Sequence, residues 1–134
     1  MNLRKGRHSV SILSSHLVFI TKYRKKAFTN EHLEKMEEIM KHAASSLDVV
    51  IIEFNGESDH VHLLIEYPPK MSISKIVNSL KGVSSRKLKR HYPELSSPSY
   101  QKDALWSPSY FASSVGGAPI SALKQYIEQQ NRPH

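Results

Sequence analysis

The stretch His60-Val-His-Leu-Leu-Ile-Glu-Tyr67 constrains this chain more than any other. Val61, Leu63, Ile65 and Tyr67 alternate with His60, His62, Leu64 and Glu66, which is the period of a strand with one face packed and one open. Just upstream, Val49 to Phe54 reads as a buried strand, and Asn55-Gly56 predicts the turn between the two. A hairpin therefore occupies the middle of the chain. Before it, Thr29 or Asn30 can cap a helix whose apolar positions Leu33, Met36, Met40, Ala43, Ala44 and Leu47 recur at helical spacing. Earlier still, Ser11 to Thr21 has the β-branched and aromatic content of a strand. After the hairpin, Pro68-Pro69 ends the strand and a second helix starts near Ser72. Ile73, Ile76, Val77 and Leu80 form its apolar stripe, and Gly82 weakens its middle. Residues 93–104 read as a polar loop. Leu105 to Val115 reads as a last strand, with Pro108 favouring an edge or a bulge. Gly116-Gly117 forms a joint, and Pro119 suits the first turn of a closing helix.

The order is strand, helix, strand, strand, helix, strand, helix. It predicts an α+β fold, ferredoxin-like (RRM-like), with a β-α-β-β-α-β antiparallel sheet and an extra C-terminal helix. At 134 residues the chain fits one domain, because two halves would be too small to bury proper cores. The expected layout is a core over about residues 8–115, a hinge at Gly116-Gly117 and a closing helix over about 119–131. No apolar run is long enough to span a bilayer, and no apolar segment with a small-residue cleavage site follows the basic N-terminus. With zero cysteines, disulfides and thiolate metal sites are excluded, which sits comfortably with a cytoplasmic protein. Any metal must use nitrogen and oxygen ligands.

Charge is segregated along the chain. Residues 1–30 hold seven Lys or Arg and no acid, and residues 67–93 hold seven more, again with none. Four of the 12 acids gather between Glu31 and Glu38, read as a solvated outer face. This pattern predicts a positive surface for a polyanion, since each neutralised phosphate releases counterions. Lys22, Tyr23, Arg24, Lys25 and Lys26 could hold backbone phosphates and stack on a base. Lys75, Lys81, Arg86, Lys87, Lys89 and Arg90 could line a groove for the same polyanion. A plain solvated face is the competing reading of each.

Strand alternation also carries chemistry. His60 and His62 project to the same side, opposite the packed residues, and are close enough to chelate one divalent ion. The closing helix buries Ile120, Leu123 and Ile127 and sets Tyr126 and Gln130 one turn apart, about 40° apart in projection. A phenol is a weak nucleophile at neutral pH. A divalent ion on a scissile phosphate would withdraw charge and stabilise the crowded transition state. Two imidazoles and an amide oxygen leave positions open for phosphate and water. Mg²⁺ prefers more oxygen and Mn²⁺ accepts imidazole, so the ion is left open between them. No organic cofactor is expected. Attack by Tyr126 would join protein to DNA and conserve the energy of the cut bond. His16 could approach this site from the neighbouring strand, although a half-buried strand histidine is the favoured reading, and Trp106 is read as a core or interface residue.

Several spaced segments carry a resemblance. They are HLVFITKYRKKAF (16–28), DHVHLLIEYPP (59–69), SISKIVNSLKGVSSRKL (72–88), LWSPSYFASSVGG (105–117) and YIEQQ (126–130). From near residue 15 to residue 130 the chain resembles the single-tyrosine HUH transposases of small bacterial insertion sequences, the TnpA-like or IS200-like family. The resemblance implies that His60, His62 and Gln130 bind the metal and that Tyr126 forms a 5′-phosphotyrosine link. It implies a homodimer acting on single-stranded DNA with hairpin ends. It also implies that Gly116-Gly117 could let the tyrosine helix act in trans. Two rivals share the fold: an HUH replication-initiator nickase, which ordinarily carries further domains, and a catalytically silent nucleic-acid-binding module, which would need aromatic residues on the open sheet face. A metal-dependent hydrolase using water would tolerate loss of Tyr126.

Overall fold

The computed structural model describes residues 12–96, 105–115 and 120–129, with only the backbone described for residues 120–124. In chain order these form β1 (Leu13–Ile20), α1 (Asn30–Ser45), β2 (Val50–Glu57), β3 (His60–Tyr67), α2 (Ile73–His91), β4 (Phe111–Ser114) and α3 (Ile120–Gln129). Short 3-10 turns lie at Lys22–Arg24 and Pro93–Ser96. The four strands make one sheet in the order β2-β3-β1-β4, and every pairing is antiparallel. This is the ferredoxin-like arrangement expected from the element order.

The alternation in β3 decides which face is packed. Val61, Leu63, Ile65 and Tyr67 are buried, and with Leu17 and Phe19 of β1 they meet Met36 and Met40 of α1 and Ile76, Val77 and Leu80 of α2. Residues opposite one another on a ladder share a face. His62 stands opposite Val18 of β1 and Asn55 of β2, and Val18 stands opposite Phe111 of β4. His60 stands opposite Ile20 and Glu57. The histidines therefore occupy the face turned away from α1 and α2.

Both long helices start where expected, the first at Thr29 of its two candidate caps and the second with Ser72 as its cap. Thr29 Oγ1 accepts from the backbone N–H of His32 at 3.2 Å, while the His32 ring Nδ1 accepts from Thr29 N–H at 3.1 Å. Ser72 Oγ accepts from Lys75 N–H at 3.2 Å. Gly82 lies in regular helix, and a side chain placed there would meet nothing within 4 Å. It costs the helix about 0.8–1.0 kcal/mol relative to alanine without any packing contact to explain it.

Two expectations need correction. Asn55-Gly56 is not the hairpin turn; both residues lie inside β2, paired with His62 and Val61, and the turn falls at Ser58-Asp59. Gly56 serves close approach instead, because a Cβ there would lie 2.6 Å from Leu33 Cδ2 of α1. The last strand is also shorter than Leu105–Val115. Trp106 makes one isolated bridge with Thr21, and Ser107 N–H donates to Ile20 O at 2.7 Å. Regular pairing then lapses until Phe111. Pro108 has no N–H to offer a ladder, so the strand breaks where the proline stands. The expected joint at Gly116-Gly117 and helix start at Pro119 lie outside the described residues, as does Gln130.

Candidate active site

His60 is held from behind. Its Nδ1 lies 2.8 Å from Asp59 Oδ1, and the other carboxylate oxygen, Oδ2, accepts from Arg24 Nε at 2.9 Å. Asp59 is buried, with its side chain 10% exposed. Burial alone would raise its carboxyl, but the hydrogen bonds from His60 and Arg24, helped by the nearby guanidinium, outweigh that and hold it below the usual value. A carboxylate at Nδ1 fixes the proton there and leaves the Nε2 lone pair for a ligand, the usual outer-shell support of a metal-binding imidazole.

The backbone that delivers Arg24 is strained. Tyr23 and Arg24 both have positive φ, 58° and 54°, although neither is glycine. Thr21 fastens this turn to the β2–β3 corner: its N–H donates to Asp59 O at 3.0 Å, and its hydroxyl donates to Lys25 O at 2.7 Å. Phe28 N–H donates to Ser58 O at 3.0 Å on the far side of the turn. One consequence is that Tyr23 is thrust outward, 56% exposed, with Lys22 Nζ 5.6 Å from its ring centre.

His62 meets a partner across the sheet. Its Nε2 lies 3.0 Å from Nδ1 of His16, and the ring centres are 5.1 Å apart. Burial, then the neighbouring His16, push its pKa down; Glu53 opposes and His60 adds to the fall. The neutral imidazole, the form that binds metals, is thereby favoured. His16 is half-buried as expected, yet it reaches the site as well. Among the described residues, no three His, Asp or Glu side chains are arranged to hold a metal ion. The two-histidine set fits a divalent cation in ligand type, and the amide expected to complete it, Gln130, lies outside those residues.

Tyr126 sits on α3, against the β4 side of the same face. Its ring centre is 5.4 Å from that of Phe111, and its hydroxyl lies 3.2 Å from Ser109 Oγ. Burial raises its pKa, with the Ser109 hydrogen bond a smaller opposing effect. The phenol therefore stays protonated at neutral pH until something activates it. Phe111 and His62 are joined through Val18 by ladder pairing, which sets Phe111, the residue Tyr126 packs on, about two strand spacings, roughly 10 Å, from His62 along the sheet.

The family can now be read from comparison with known proteins. Residues 9–130 match the model of the transposase IS200-like family. The chain belongs to the IS200-like transposases. This transposase-family chain is 31% identical over 131 residues to the ISDra2 transposase TnpA of Deinococcus radiodurans, covering 98% of the chain and 93% of that relative. It is 34% identical over 115 residues to the transposase for insertion sequence element IS200 of Salmonella typhimurium, covering 86% of the chain and 74% of the relative. A crystal structure of a candidate transposase from Deinococcus radiodurans R1 superposes with a TM-score of 0.89 at 31% identity, covering 98% of this chain and all of that one. A REP-associated tyrosine transposase bound to a REP hairpin shares the fold, with a TM-score of 0.56 at 10% identity over 93% of this chain and 68% of that one.

The basic residues do not form one surface. Arg24 turns inward to Asp59. Lys81 also turns inward: its Nζ donates to Ser107 O at 2.6 Å and to Ser109 O at 3.3 Å, and burial lowers its pKa. Lys26 and Lys75 are exposed. Lys87 and Arg90 open onto a hollow of about 420 Å³ between α1 and α2, beside Lys35 and His42. Arg86 and Lys89 border a different hollow with Trp106 and Pro108. Sequence reading missed Asp59, Ser109 and the inward turns of Arg24 and Lys81. Asp59 carried a usable signal, since an acid beside a ligand histidine is the natural holder of its second nitrogen.

Proposed function

We propose that this IS200-like family member cleaves and rejoins single-stranded DNA at insertion-sequence ends through a covalent bond to Tyr126. The observation that supports this best is one sheet face carrying two histidines, one tied at Nδ1 to a buried carboxylate, with a helical tyrosine packed against the same face. His60 and His62, with Gln130, would hold a divalent cation, Mg²⁺ or Mn²⁺. When bound, that ion supplies charge neutralisation at the scissile phosphate. Asp59 and Arg24 keep His60 in its ligand tautomer. Ser109 holds the Tyr126 hydroxyl in place, and the proton the phenol loses as it approaches phosphorus passes to solvent.

The step balances simply. Tyr126 Oη bonds to phosphorus and the P–O3′ bond breaks. The departing 3′ oxygen takes up a proton in place of the one the phenol loses. A 3′ hydroxyl attacking the phosphotyrosine reverses these bonds and reseals a strand without ATP. The exposed Tyr23 and the cations Lys22, Lys25, Lys26, Lys75, Arg86, Lys87, Lys89 and Arg90 are assigned to the DNA backbone and bases. The substrate is single-stranded DNA with hairpin ends, the active form a homodimer, and the tyrosine helix could serve the partner's metal site. Among the described residues, no helix is long and apolar enough to cross a membrane.

The test is a denaturing gel with a 3′-labelled hairpin end, Mg²⁺ or Mn²⁺, and Tyr126→Phe and His62→Ala beside the wild type. A metal-dependent band of protein joined to DNA, absent from both variants, is expected. Tight binding with no adduct under either metal would instead support the catalytically silent module.

A further inference from the structure

On the open face of the sheet, His62 stands between two other histidines. His60, opposite Ile20, is its same-face neighbour toward one end of β3, and His16 of β1, opposite Leu64, lies toward the other end. Same-face neighbours along a strand are about 6.6 Å apart, so His60 and His16 approach the His62 ring from opposite sides. The ring is turned to His16: His62 Nε2 lies 3.0 Å from His16 Nδ1, with the two ring planes tilted by 36°. All three side chains are half-buried, but they do not close on a single point, since among the described residues no three His, Asp or Glu side chains are arranged to hold an ion. His62 therefore has two possible ligand partners and can serve one at a time.

Two ring nitrogens 3.0 Å apart are close to the bite of a metal ion. A tetrahedral Zn²⁺ with bonds of about 2.0–2.1 Å holds two nitrogens about 3.3 Å apart, so the rings would part by a few tenths of an ångström and tilt to receive it. We propose that His16 and His62 form a second metal site, for Zn²⁺, that competes with the catalytic ion for His62; the competition rests on the function proposed above. A pair of imidazoles with no carboxylate suits zinc and not Mg²⁺, which demands oxygen. Zinc also ranks above Mn²⁺ in affinity for nitrogen ligands. In neutral rings, the N–H now lying between the two nitrogens shifts to the other nitrogen of its own ring, and water completes the shell. Bound there, zinc takes the Nε2 lone pair and holds the His62 ring on the side away from His60. His60 is left as a lone imidazole, and strand transfer stops without any change at Tyr126.

The test uses the full chain and Zn²⁺ alone, followed by proton–nitrogen NMR of the histidine rings and by calorimetry. In the wild type, His16 Nδ1 and His62 Nε2 are expected to shift together on zinc addition while the His60 ring stays in place. His16→Leu, placed opposite the apolar Leu64, should lose zinc affinity by more than the roughly 10–100-fold of a lost outer-shell partner, and His60→Leu should keep it. The wild-type shifts decide the site even where a variant fails to fold. Shifts at His60 and His62 with His16 unmoved overturn the inference and leave His16 an outer neighbour of His62. The adduct gel then reads the competition. Zinc should suppress the Mn²⁺-dependent band of the wild type, and His16→Leu should keep that band at the same zinc concentration. Equal suppression in both overturns the competition. A wild type that forms no adduct with any ion, yet shows the His16 and His62 shifts, sinks the strand-transfer reading and leaves the zinc site standing.

Discussion

Replacing Asp59 by asparagine should loosen the fold and the proposed metal site together, by amounts the geometry sets. Asp59 accepts two hydrogen bonds, from His60 Nδ1 at 2.8 Å and Arg24 Nε at 2.9 Å, with its own side chain 10% exposed. Hydrogen bonds to charged groups contribute about 1.5–3 kcal/mol each. Arg24 is 33% exposed, so its share is screened by solvent and falls toward the lower figure. Asparagine keeps one acceptor but turns an NH₂ toward the other donor. The net loss is about 2 kcal/mol, or a Tm lower by roughly 6–10 °C at this chain length. The ligand effect is separate. If the amide presents its NH₂ to His60, Nδ1 becomes the acceptor and the proton moves to Nε2, the atom meant for the metal. Outer-shell changes of this kind cost about 10–100-fold in metal affinity. Mn²⁺ titration followed by electron paramagnetic resonance, alongside thermal unfolding, reads both quantities. A lower Tm with Mn²⁺ affinity within threefold of wild type would refute the claim that Asp59 sets the ligand form of His60.

Further outcomes follow from the same structure. Gly56→Ala places a methyl 2.6 Å from Leu33 Cδ2 and 3.2 Å from Val61 Cγ1, and should destabilise by about 1–2 kcal/mol in urea unfolding. Lys87→Ala should lower the salt slope of single-stranded DNA binding by about 0.7, whereas Lys81→Met should leave the slope unchanged and lower Tm, because the Lys81 ammonium is spent on Ser107 and Ser109. His62 has its folded pKa depressed, so its stabilising effect is present above the unfolded value near 6.5 and is lost as pH falls below it. Metal-free protein should therefore lose stability from pH 7 toward pH 5, and His62→Gln should flatten that slope in denaturant titrations at several pH values.

How far the sequence could be read depended on whether a signal was local. The period-2 pattern of β3 gave its bounds and its packed face, because burial of Val61, Leu63, Ile65 and Tyr67 is written into the spacing. The caps at Thr29 and Ser72 were equally legible, being short-range hydrogen bonds. Asn55-Gly56 misled because glycine has two uses. A turn is the commoner one for that dipeptide, but close approach of Leu33, 23 positions away in sequence, decides it here. Arg24 and Lys81 sit in basic stretches that look like solvated charge. Their inward hydrogen bonds depend on where the β2–β3 corner and the 105–110 segment arrive, which is tertiary information. The His16–His62 contact is of the same kind, a diagonal pair fixed by the register of β1 against β3.

The central claim is that one phenol among six tyrosines becomes bonded to DNA. The direct measurement is peptide mass spectrometry of the protein after reaction with a hairpin end and Mn²⁺, followed by nuclease trimming of the attached strand. A residual nucleotide joined through its 5′ phosphate to the peptide containing Tyr126, and to no other, is expected. A nucleotide on Tyr23 or Tyr110, or cleaved DNA with every tyrosine unmodified, would contradict it.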